Sequence, residues 1–82
     1  MKTRAQTDRV WTNLRQGRGT VKQQNLMAEI VRHPMYKYVK ITKLINLLYH
    51  PSDDSLASRT RARTEALQGV LKMLEAMSYT TL

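Results

Sequence analysis

The sequence predicts an all-α fold: a small single-domain bundle of about four helices spanning residues 1–82. Three observations predict it. Apolar residues recur at helical spacing almost throughout, helix starts and stops fall between the periodic stretches, and there is neither an internal repeat nor a low-complexity linker. A chain of 9.5 kDa hides only about 60–65% of its unfolded surface on folding, enough for one modest core but not for a deep cleft between two domains.

The first helix is expected over about 4–16. Val10, Trp11 and Leu14 form its apolar stripe, with Thr7 a turn earlier. Arg4, Asp8 and Arg15 flank the stripe and Arg9 lies opposite. Gly17-Arg18-Gly19 stops the helix, because glycine releases the backbone into turn conformations. Thr20-Val21-Lys22-Gln23 reads as a capping box and restarts it. The second helix, about 21–32, offers Leu26, Met27, Ile30 and Val31 to the core, and Pro34 ends it.

Residues 35–42 are ambiguous. Tyr36, Lys37 and Tyr38 alternate like a short strand, whereas Ile41, Leu44, Ile45 and Leu48 are spaced as a helix. The favoured reading is a loop leading into a third helix over about 39–49, stopped by Pro51. In the minority reading, a strand at 36–42 followed by two helices has the element order of a ribbon-helix-helix dimer. Ser52-Asp53-Asp54-Ser55 is rich in N-cap residues and starts a fourth helix over about 55–77. Its second half carries the stripe Leu67, Val70, Leu71, Leu74 and Met77, interrupted by Gly69. Its first half, Ser58 to Thr64, is almost wholly polar. The tail after Met77 is expected to fray.

Charge is unevenly distributed. Residues 1–43 hold ten Lys/Arg against Asp8 and Glu29, so the whole formal charge of +8 falls there, while residues 44–82 balance to zero. Such a half is suited to an anionic partner. The candidate contacts are Arg4, Arg9, Arg15, Arg18, Lys22, Lys37, Lys40 and Lys43, with Arg59 and Arg63 as a focused pair four residues apart on one helix face. Lysines meet phosphates, and the interleaved Tyr36 and Tyr38 have either a core role or a stacking role against sugars or bases. Thr60 and Thr64 hydroxyls are candidates to add contacts beside Arg59 and Arg63.

Catalysis is not expected. His33 and His50 each precede a proline at a helix end, where the dipole favours them, and Asp53-Asp54 reads as a cap. Without cysteine there is neither a disulfide framework nor a cysteine-based zinc site, and no cofactor or metal is expected. Gly17-Arg18-Gly19 lacks the ending of a phosphate-binding loop. No helix-turn-helix is convincing, since both candidate turns exceed three to four residues. No apolar run approaches a membrane span, so the chain is expected to be soluble and cytoplasmic. The expected function is a small nucleic-acid-binding protein, DNA before RNA, in a regulatory or accessory role. The alternative is a protein-interaction module that docks on an acidic protein or forms a helical oligomer such as a homodimer. Binding to an anionic membrane ranks last of the binding roles, and no small-molecule substrate is evident.

Overall fold

Among the described residues four helices form in chain order: α1 (Arg4–Arg15), α2 (Val21–Arg32), α3 (Ile41–Leu48) and α4 (Leu56–Thr80), with a short 3-10 turn, Tyr36–Tyr38, between α2 and α3. The structure is a computed structural model that describes residues 4–80, and side chains over residues 10–78. No strand occurs among the described residues.

Local chemistry explains each boundary. Gly17, at φ +89°, closes α1 in a Schellman motif. Its N–H donates to the Leu14 carbonyl at 3.1 Å, and the Arg18 N–H reaches back to Asn13 at 3.0 Å. The predicted capping box opens α2: Thr20 Oγ1 accepts from the Gln23 N–H at 3.1 Å, and Gln23 Oε1 accepts from the Thr20 N–H at 3.2 Å. His33 caps the other end, donating its N–H to Ile30 and accepting the Met35 N–H on Nδ1 at 3.1 Å.

The minority strand over 36–42 does not form. Tyr36 donates to the His33 carbonyl, Tyr38 to Met35 and Val39 to Tyr36, so the backbone donors that a ladder would need are used within one tight turn. At three residues per turn, positions two apart point to different sides, so Tyr36 packs inward while Tyr38 faces out, whereas a strand would have put both on one face. Val39 and Lys40 are extended, and α3 starts at Ile41 rather than at 39.

Ser55 is the N-cap of α4, with its Oγ accepting from the Ser58 N–H at 3.1 Å. Asp53 Oδ1 accepts from the Ser55 N–H at 2.8 Å. The Ser55 hydroxyl, then the Ser55 N–H and then the Ser58 hydroxyl hold the Asp53 carboxyl below its ordinary range. A depressed folded pKa contributes stability above the unfolded value. That contribution is lost as pH falls below about 4 through the folded value. Asp53→Asn should therefore melt slightly lower than wild type at neutral pH, and acidification should close that gap. A gap that widens in acid would refute this role of the carboxylate. The fourth helix continues to Thr80, past the expected end at Met77.

The longest helix is the axis of the molecule. At 1.5 Å per residue, 25 residues give α4 about 37 Å, close to the 41 Å long dimension. It packs on α2 and α3, and α1 lies over α3 and α2. The core is Val10, Trp11, Leu14, Ile30, Ile41, Ile45, Tyr49, Ala62, Ala66, Leu67, Val70 and Leu74, with Leu26, Met27, Leu44, Leu48 and Leu71 packed against it. Val31, expected inside, is exposed. At Gly69 an added Cβ would stand 2.9 Å from Leu48 Cδ1, so the missing side chain is what lets α3 lie close. No helix among the described residues is long and apolar enough to cross a membrane.

Candidate nucleic-acid interface

One polar side chain organises the positive end of the molecule. Gln23 is fully buried. While Oε1 serves the capping box, Nε2 donates to the Thr60 carbonyl and to Thr64 Oγ1, both at 3.1 Å. Thr64 Oγ1 itself donates to the Thr60 carbonyl at 3.2 Å. A buried amide needs its partners, and here the two Nε2 bonds tie the first turn of α2 to the second and third turns of α4.

Almost wholly polar as it is, the stretch Ser58–Thr64 packs against α2 through this joint. Ala62 and Ala66 are buried, and their small side chains allow close helix approach. The Thr64 hydroxyl is committed inside and is not available to a phosphate. Arg59 and Arg63 also differ from each other. Arg63 lies one turn before Leu67 on the inward stripe; it is half-buried, and its Nε is buried without a hydrogen-bond partner. Arg59 is exposed.

The joint also places Arg59 and Arg63 beside the basic first half. Arg18 and Lys22 flank the α2 start that Gln23 fixes to Thr60 and Thr64, so these four cations belong to one end of the bundle. The Gln24 amide holds the Arg18 loop by donating to the Leu14 carbonyl at 3.0 Å and to the Arg18 carbonyl. Arg18 and Lys22 are exposed.

Lys37, Lys40 and Lys43 form a second group. Leu48 meets Gly69 and His50 lies beside Ala62, so α3 runs back along α4. The start of α3 then stands on the order of 20 Å from the Thr60–Thr64 turn, at 1.5 Å per residue. Lys37, Lys40 and Lys43 are exposed. From Ile30 to Ser52 the chain has no acid at all. Arg15 is exposed in the last turn of α1, where the dipole favours a cation. Arg4 and Arg9 have side chains outside the described residues.

Helix polarity sharpens both groups. No acid occupies the first turn of α2, α3 or α4. Lys22 sits in the first turn of α2, Lys40 is the N-cap of α3 without a side-chain cap bond, and Lys43 is in the first turn of α3. A cation at a positive helix pole forgoes about 0.3–1 kcal/mol that an acid would supply. In exchange, side-chain charge and backbone N–H groups add at the same places. Among the described residues no acid forms an ion pair with any of these cations.

The aromatic residues divide. Trp11 is buried, and its ring lies 6.5 Å from that of Tyr36, tilted by 38°. Tyr38 is 68% exposed, and the Lys37 ammonium lies 5.3 Å from its ring centroid. Sequence reasoning treats the two tyrosines alike, and it gives Gln23 a capping role but not its burial or its bonds to α4. A signal for Gln23 exists: a capping-box residue one helical turn before Leu26 and Met27 falls on the inward face.

The remaining chemistry is sparse. His50 Nε2 lies 2.6 Å from the Leu47 carbonyl at the end of α3, whereas the His33 ring accepts the Met35 N–H. No group of three His, Cys, Asp or Glu residues among the described ones could hold a metal. An open depression of about 140 Å³ is lined by His50, Ser52, Ser58, Arg61, Ala62 and Glu65, so it faces Arg61 rather than the Arg59–Arg63 pair. No protein-family model, curated protein or solved structure matches this chain.

Proposed function

We propose that this protein binds nucleic acid, chiefly through phosphate contacts, and serves as a small regulatory or accessory factor without catalysis of its own. The observation that carries the reading is the placement of lysines, free of acidic partners among the described residues, at the positive poles of α2 and α3. Stability alone favours acids at those positions, whereas phosphate binding favours lysines.

Fluorescence anisotropy with labelled DNA and RNA over a salt series tests it. Log affinity should fall linearly with log salt. Lys37→Glu combined with Lys40→Glu should weaken binding whatever the sequence. It should also flatten the slope by just under one unit for each phosphate that is no longer neutralised. Absence of binding to every probe at low salt would overturn the proposal. The competing reading, self-association or docking on an acidic protein, draws on the exposed Leu47 and Leu56. Light scattering on the purified chain tests its oligomeric form.

A further inference from the structure

Tyr38 is set apart from the other aromatic residues whose rings the structure describes. Trp11 and Tyr49 are buried and Tyr36 is half-buried beside Trp11, yet Tyr38 is 68% exposed. It is not on a loose segment. The turn that carries it is closed by the Tyr36, Tyr38 and Val39 backbone bonds, and anchored by Met35, Tyr36 and Val39 packed against the core. The ring is therefore held outside by its own turn, and the apolar contact that its burial would supply is forgone.

The surroundings indicate what the ring meets. The Lys37 ammonium at 5.3 Å from the centroid is within cation–π range and occupies one face. The exposure of the residue leaves the rest of the ring open. Lys37, Lys40 and Lys43 flank it within seven residues, with no acid nearer in sequence than Glu29 or Asp53. An open aromatic face beside several lysines combines base stacking with backbone attraction. In a duplex the base faces are stacked on one another and closed to such a ring, whereas an unpaired base offers its face.

We infer that Tyr38 is a stacking platform for an unpaired base, and that residues 37–43 form a binding site for single-stranded polynucleotide, Lys37, Lys40 and Lys43 taking the adjoining phosphates. This deepens the nucleic-acid reading and rests on it. The site reads no base edge, so it tolerates any sequence.

The test uses the full chain as wild type, Tyr38→Ala and Tyr38→Phe. Anisotropy is measured against oligothymidylate, oligouridylate and a duplex at one low salt concentration, with a salt series on the single strands. Wild type should prefer a single strand to the duplex. Tyr38→Ala should weaken single-strand binding about tenfold and leave duplex binding unchanged, and Tyr38→Phe should bind nearly as wild type. The salt slope should be the same for all three, since no charge is removed. Emission from Trp11, the sole tryptophan, checks that each variant is folded. Single-strand binding by Tyr38→Ala equal to wild type, or an equal loss on duplex, overturns the stacking role while salt-dependent binding by wild type keeps the phosphate reading. Failure of wild type to bind any probe overturns both.

Discussion

Replacing Gln23 by leucine is expected to destabilise the fold by about 3 kcal/mol, although the side chain keeps a similar volume. Four hydrogen bonds meet at this residue: its own N–H to Thr20 Oγ1, Oε1 from the Thr20 N–H, and Nε2 to the Thr60 carbonyl and Thr64 Oγ1. Leucine preserves the first and removes the other three. The Thr20 N–H loses half of the capping box, and removal of a cap interaction costs roughly 1 kcal/mol. Each buried polar group left without a partner costs about 1–3 kcal/mol. The Thr60 carbonyl is spared in part, because Thr64 Oγ1 still donates to it. For a chain of this size such a loss lowers Tm by about 12–24 °C. Thermal unfolding followed by circular dichroism measures it.

A double-mutant cycle with Thr64→Val separates the interhelical bond from the cap. Thr64→Val removes one acceptor of Nε2 and leaves the capping box whole. If the bond between α2 and α4 matters, the double variant should lose less than the sum of the single losses, by about 0.5–1 kcal/mol. Strict additivity would assign the whole effect to the cap.

The second large effect is expected at Gly19. Gly17 and Gly19 both have positive φ, +89° and +103°, so both exclude ordinary side chains on backbone grounds. That shared strain is about 1–2 kcal/mol for alanine. Their surroundings differ. A Cβ on Gly17 would meet nothing within 4 Å. On Gly19 it would stand 2.7 Å from Gln23 Oε1 and 2.8 Å from Leu14 Cδ2, and both of those side chains are fully buried. Neither can retreat without breaking the capping box or opening the core. Gly19→Ala should therefore cost about 1–3 kcal/mol more than Gly17→Ala, the range for overpacking a core. Equal melting temperatures for the two variants would refute the steric argument.

Both predictions concern one place, and it shows where sequence reasoning stops. The capping box at Thr20 and Gln23 was legible because it depends on residues three apart. The buried partners of Gln23 are 37 and 41 positions away, and no local pattern specifies them. The arginine turn shows the same limit. Spacing alone places Arg59 and Arg63 on one face of a helix, but it does not say that this face continues into Leu67 and turns inward. Ala62 and Ala66 sit four apart beside it, a small-residue pair that reads as helix filler until a neighbour is packed against it.

Residues 36–42 were ambiguous for a different reason. A strand would put Tyr36 and Tyr38 on one face and a 3-10 turn splits them, but a three-residue Tyr-Lys-Tyr pattern is too short to choose between the two. The choice was made by hydrogen bonds to His33, Met35 and Tyr36, within the reach of a single turn.

By itself the sequence determined what is local: the helical class, the four helices with ends close to those observed, the glycine turn, the two N-caps and the concentration of cations before residue 44. Helical periodicity and capping act over three to four residues, so a short stretch of chain contains them. Only the tertiary structure decided which cations share an end of the bundle, which hydroxyl is spent inside, and which tyrosine faces out. Those outcomes depend on how α2 and α3 lie along α4, and that is set by the close fit of Gln23, Ala62, Ala66 and Gly69, whose contacts join residues far apart in the chain.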